Sequence, residues 1–178
     1  QDIKRTFYLK HLYNHFKSED PTSNLICIGD PVCGKSGLLN NVFSTHFELR
    51  NPKTCRLFHD SVDVVFHSQE VPMGMNVYDF HGKFANYDFS LIKQLLLWLP
   101  YTMLFVQVKS VDYLIQLKEE LQKDGGELFE RFKDSAIVVS ANTTEEICVE
   151  VRKLFGLEPG AALPDRFFDL EGVEHNEQ

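Results

Sequence analysis

The chemistry most plainly written into this chain is a run of eight residues, Gly29-Asp30-Pro31-Val32-Cys33-Gly34-Lys35-Ser36, which fits G-x-x-x-x-G-K-[ST] at every fixed position. That pattern binds phosphate for physical reasons. The backbone N–H groups of the loop turn inward around phosphate oxygens, and the helix that follows adds the positive end of its dipole. Gly34 lets the backbone approach closely, Lys35 would reach the outer phosphates, and the Ser36 hydroxyl would hold Mg²⁺. Gly29, Pro31, Val32, Cys33 and Gly37 complete the expected cradle. The bland alternative is a chance match, or a loop that no longer binds.

The motif requires a strand before it and a helix after it. Leu25-Ile26-Cys27-Ile28 is a short apolar run ending at Gly29, and residues 34–43 have a helical pattern. Before them, Tyr8, Leu9, Leu12, Tyr13 and Phe16 recur at helical spacing, and Asp20-Pro21-Thr22-Ser23-Asn24 breaks that pattern. Strands are predicted at 62–67, 75–78, 102–108, 136–140 and 166–170. Helices are predicted at 89–99, at 113–132 with a break near Gly125-Gly126, and at 145–155. Strands alternating with helices predict an α/β fold whose largely parallel sheet is covered on both faces, with ligands at the carboxyl ends of the strands.

Composition bounds the reading. The 178 residues suit one domain, which at this length buries about 70% of its unfolded surface. Apolar residues are 43% and aromatics 12%, with 15 Phe, a core-forming mixture. Eighteen basic against 26 acidic residues give a net charge of −8, so nucleic acid is not an expected partner. No apolar run reaches about 18 residues, so no membrane span is expected. The N-terminus lacks a basic region followed by an apolar core, so no signal peptide is expected, and Gln1 suggests a fragment of something longer. Cys27, Cys33, Cys55 and Cys148 form no C-x-x-C pair, which predicts reduced thiols and a cytoplasmic location.

Around the loop the chain resembles the G domain of Ras-like small GTPases. Phe47 stands where that family packs an aromatic ring across the guanine base. Thr54 falls at the spacing of its switch threonine, which closes on Mg²⁺ and the terminal phosphate, with Pro52 nearby. Phe47 tucked into the core is the ordinary alternative. Asp79-Phe80-His81-Gly82 fits the family's D-x-x-G, whose Asp reaches the Mg²⁺ shell and whose Gly amide senses the terminal phosphate. Asn142-Thr143-Thr144-Glu145 stands at the distance of the base-reading N-K-x-D, with Thr for Lys and Glu for Asp. Glu145 could accept both guanine N–H bonds; alternatively Thr143 or Thr144 caps the next helix, with Glu145 and Glu146 in its favourable first turn. A second alignment takes Ser140-Ala141-Asn142 as the family's S-A-K loop and Lys109-Ser110-Val111-Asp112 as a slipped base motif, at the expense of one strand–helix unit. Lys83 stands where the family has the Gln that orients water, which implies slow or absent hydrolysis, with His81 a spare candidate.

The resemblance implies a P-loop NTPase, a three-layer sandwich with a mostly parallel sheet. Residues 1–20 would be an N-terminal helical extension packed on the domain, 21–172 the G-like domain and 173–178 a frayed acidic tail. It implies GTP or GDP with Mg²⁺, the metal on Ser36, Thr54 and Asp79, and phosphate and base contacts from the loop, Phe47, Thr54, Gly82, Asn142 and Glu145. The function expected is a guanine-nucleotide-binding switch or regulatory module of a larger protein, a weak GTPase at most, acting on protein effectors or on other domains of the parent chain. The alternative is a pseudo-GTPase scaffold that binds proteins and no nucleotide. An ATP-using kinase or ATPase ranks third: Asp79 could serve it, but no lid or arginine-rich segment supports it.

Overall fold

The computed structural model describes residues 23–30, 33–47, 49, 62–65, 75–80, 89–109 and 111–160. The predicted N-terminal helix, the strand at 166–170 and the acidic tail lie outside them, as do Pro31, Val32, Thr54, His81, Gly82 and Lys83.

Five strands form one sheet: β1 (Asn24–Gly29), β2 (Val62–Val65), β3 (Asn76–Phe80), β4 (Thr102–Gln107) and β5 (Ile137–Val139), in the order β2-β3-β1-β4-β5. β1 runs parallel to β3 and β4, and β4 parallel to β5. The expected parallel sheet is therefore found, with one exception: β2 pairs antiparallel to β3. Consecutive antiparallel strands need no crossover helix, and none stands between these two among the described residues. The helices are α1 (Lys35–Phe43), α2 (Phe89–Trp98), α3 (Val111–Gln122), α4 (Glu127–Phe132) and α5 (Glu145–Leu154). The break expected near Gly125-Gly126 separates α3 from α4.

Alternating side chains of the central strands feed two cores. Ile26, Ile28, Tyr78, Leu104 and Val106 pack with Leu95 and Leu96 of α2, Leu117 of α3 and Phe132 of α4. Leu25, Cys27, Val77, Phe105 and Val139 pack with Leu38, Leu39 and Phe43 of α1 and Ile147 and Val151 of α5. A fully buried side chain of this kind stabilises by about 1.5–3 kcal/mol. This two-period makes helix–sheet–helix layering the arrangement that buries both faces. Phe43 and Phe155 meet edge to face at 4.9 Å, joining α1 to the end of α5.

β1 lies centrally, and the chain passes from β3 on one side of it to β4 on the other. In open α/β sheets the crevice at such a crossing, outside the strands' carboxyl ends, is where ligands sit. Gly29, Phe80 and Gln107 end the three strands there.

Candidate functional site

The loop is shaped by close contact between β1 and β4. Gly29 has φ +149°, and a Cβ there would stand 1.8 Å from the Gln107 carbonyl oxygen. Only glycine lets the two strands meet at this point, and the Asp30 amide then donates to the same carbonyl at 2.9 Å. The Cys33 amide turns back to the Asp30 carbonyl at 3.1 Å. Gly34, at φ +80°, takes the left-handed conformation that starts α1, and its carbonyl accepts from Leu38 at 3.0 Å. The start of α1 has no side-chain cap and no acidic residue in its first turn. Gly37 lies inside α1, where a Cβ would make ordinary contact with Leu49, so packing does not require glycine there.

Lys35 and Ser36 converge on Asp79. Parallel pairing places Asp79 opposite Cys27, one step inside the carboxyl end of the sheet. The Lys35 ammonium donates to Asp79 Oδ1 and, at 2.7 Å, to the Phe80 carbonyl. Ser36 Oγ donates to Asp79 Oδ2 at 2.5 Å. Lys35 is 4% exposed and Asp79 0%, so each charge is tolerable only beside the other. Three of the expected phosphate and Mg²⁺ residues are thus brought together, and they hold one another.

A second set of bonds fixes the loop from the far side. Gln107 Nε2 donates to the carbonyls of Cys33 at 3.2 Å and Ala141 at 2.9 Å, and to Thr143 Oγ1 at 3.0 Å. Two carbonyl acceptors fix which end of the amide points that way. Thr143 donates its amide to Cys33 at 2.8 Å and its hydroxyl to the Gly34 carbonyl at 2.8 Å. Gln107 was not singled out from the sequence. Its signal was present: a glutamine in the otherwise apolar run 103–108 puts an amide inside the sheet, where it needs partners.

The residues expected around a base are employed elsewhere. Phe47 is 5% exposed and lies in the core with α1 and α5, its backbone held by Asn40 through two bonds of 2.8 Å. Of the two readings of this residue, this placement is the core one. Thr144 caps α5, accepting from the Ile147 amide at 3.2 Å. Glu145 is 77% exposed and pairs with Arg152 at 3.2 Å, two turns along the same helix. Arg152 is held in turn by Glu158 at 3.0 Å and by Asn41 Oδ1 at 2.7 Å. Asn142 is exposed.

Cys27 and Cys33, the described cysteines nearest the loop, are held as neutral thiols. Burial first, and Asp30 second, push the Cys33 thiol up to about 11. At pH 7 about one part in 10⁴ is thiolate. Complete burial first, and Asp79 second, also raise the Cys27 thiol well above its ordinary range. Among the described residues Cys27, Cys33 and Cys148 are free, buried thiols. Among the same residues no cluster of three or more His, Cys, Asp or Glu could hold a metal ion, and no helix is long and apolar enough to cross a membrane.

No protein-family model matches the chain, and no curated protein matches it significantly.

Proposed function

We propose that this domain binds a nucleoside polyphosphate with Mg²⁺ and acts as a switch or regulatory module of a larger protein, with slow or absent hydrolysis. One observation carries the reading. Lys35 and Ser36, at the uncapped start of α1, meet Asp79 from the neighbouring strand at the carboxyl edge of the sheet, where the connections diverge. The donor set suits the metal. Mg²⁺ takes hard oxygens, commonly one or two carboxylates with water and phosphate, and Ser36 Oγ and Asp79 Oδ2 are such a pair. Ser36 and Asp79 would hold the ion, which when bound neutralises phosphate charge. Lys35 would turn from Asp79 to the phosphate, and the amides of 33–36 would complete the cradle. Hydrolysis needs a positioned water, and Lys83 cannot both donate and accept as an amide does.

A specific observation favours the scaffold reading as its rival. Lys35 and Ser36 already have internal partners, so neither side chain requires a ligand to satisfy it.

Calorimetric titration of the chain with GDP and GTP, with and without Mg²⁺, separates the two. Micromolar binding that depends on Mg²⁺ and is lost in Lys35→Met, with the fold intact by circular dichroism, supports the switch. Absence of heat for either nucleotide at millimolar concentration leaves the scaffold.

A further inference from the structure

We infer that residues 1–17 dock, as an amphipathic helix, on an exposed apolar corner of the domain made by Leu97 and Trp98 at the end of α2 and Tyr101 in the turn before β4. This docking goes beyond the phosphate-binding reading and does not depend on it.

Three of the seven large apolar side chains that are exposed among the described residues fall within 97–101. Leu97 is 48% exposed, Trp98 47% and Tyr101 67%, whereas Leu95, Leu96 and Leu99 are buried in the core. Apolar side chains exposed singly are ordinary, but three within five residues form a patch of the kind that marks an interaction site. The chain meets this corner as it enters β1. The Asn24 amide donates to the Tyr101 carbonyl at 3.1 Å, and Asn24 Nδ2 donates to the Pro100 carbonyl at 2.8 Å. The segment that precedes Ser23 is therefore tethered beside the patch.

That segment has the complementary pattern. On a helix Tyr8, Leu9, Leu12, Tyr13 and Phe16 fall on one side, a stripe that needs another element to cover it. Residues 18–22 connect it to Ser23. Fully extended, that connector holds Lys17 within about 22 Å of Ser23, at the amino edge of the sheet where α2 ends and β4 begins. So short a tether keeps the local concentration of the stripe high, and the contact needs little intrinsic affinity. Charge acts in the same direction. Residues 1–17 carry four basic residues against one acid, and residues 18–178 carry 14 against 25. The other exposed apolar side chains are placed less well. Val111 and Ile115 belong to α3, which starts beyond the carboxyl end of β4. Leu49 lies beside Gly37 near the start of α1, and Leu154 belongs to α5 on the sheet's other face.

Trp98 is the single tryptophan of the chain, so its fluorescence reports the docking directly. In the full chain, Leu12→Lys/Phe16→Lys is expected to raise acrylamide quenching of Trp98 about twofold or more, with the cooperative urea transition of the domain retained. The reciprocal variant Leu97→Lys/Tyr101→Lys changes only side chains that the domain leaves exposed. It is expected to speed hydrogen exchange of the amides of 8–17 about tenfold or more, and it decides the matter if the first variant loses its urea transition. Unchanged quenching in a folded first variant, or unchanged exchange in the second, overturns the docking. So does protection of Trp98 that vanishes on dilution together with a dimer seen by light scattering, which gives the corner to a second copy of the chain.

Discussion

Lys35 is expected to be a structural residue as well as a ligand-binding one, and a double-mutant cycle with Asp79 measures the first role. In Lys35→Met the Asp79 carboxylate loses the ammonium that balances its charge, at a position with no exposure. In Asp79→Leu the ammonium keeps only the Phe80 carbonyl. Removing one member of a buried pair costs about 3–5 kcal/mol, because the other charge stays buried. Against a domain stability of about 5–15 kcal/mol, each single variant loses a large fraction and can still fold. The double variant Lys35→Met/Asp79→Leu buries neither charge and is expected to lie within about 2 kcal/mol of the parent. The coupling energy is then about 4 kcal/mol or more, above the roughly 0.5–3 kcal/mol usual for contacting residues. Urea unfolding followed by circular dichroism gives all four stabilities, with the slope watched for changes in the unfolded state. A Lys35→Met cost below about 1 kcal/mol, or single costs that simply add, would refute the coupling. The outcome also governs the binding test: a folded double variant that binds no nucleotide separates lost phosphate contact from lost fold.

Gly29→Ala is expected to destabilise by about 3 kcal/mol or more, because its Cβ would drive β1 from the Gln107 carbonyl and break the Asp30 bond; a loss under about 1 kcal/mol in urea would contradict the close approach. The Cys33 thiol, raised from 9.0 to about 11, stabilises the fold fully below pH 9 and loses that contribution as pH rises toward 11. Stability should therefore fall more steeply between pH 9 and 11 in the parent than in Cys33→Ala, by up to about 2 kcal/mol, and parallel curves would count against it. Thr144→Ala should cost about 1 kcal/mol through loss of the α5 cap, read as a lower urea midpoint; an unchanged midpoint would deny the cap a role. Nucleotide at about 100 times its Kd should stabilise the domain by about 2.7 kcal/mol, seen as a raised Tm, and an unmoved Tm would argue for the scaffold. Lys83→Gln should raise phosphate release if Lys83 limits hydrolysis, and an unchanged rate would place the defect elsewhere.

Local signals survived into the structure; partner choice did not. The apolar run at 25–28, the glycines of the loop and the helical spacing after it gave β1, the turn and α1. The Thr144 cap was legible because caps are set by residues three apart. The antiparallel edge β2 was not, since four half-buried residues look the same in either direction. The convergence of Lys35, Ser36 and Asp79 followed from the motifs, but their attachment to one another depends on the register of β3 against β1. The sequence offers Glu145 a base contact or a helix start. Its seven-residue spacing from Arg152 on one helix face was the sign of its present employment.

The bonds from Gln107 and Thr143 to the loop before α1 set the order in which the site can mature. Lys35 and Asp79 are 44 residues apart, whereas Thr143 and Gly34 are 109 apart. Closing the longer span costs about 0.8 kcal/mol more in chain entropy, a small thermodynamic difference. The temporal difference is larger. During N-terminal-first synthesis the ion pair can form once β3 has emerged and the Gln107 bond to Cys33 once β4 has, but the Thr143 bonds to the Cys33 and Gly34 carbonyls wait for the segment after β5. A nascent chain halted before residue 143 therefore has the charges of the site without the Thr143 brace on its loop. The loop's full set of braces arrives late, with the last third of the sequence.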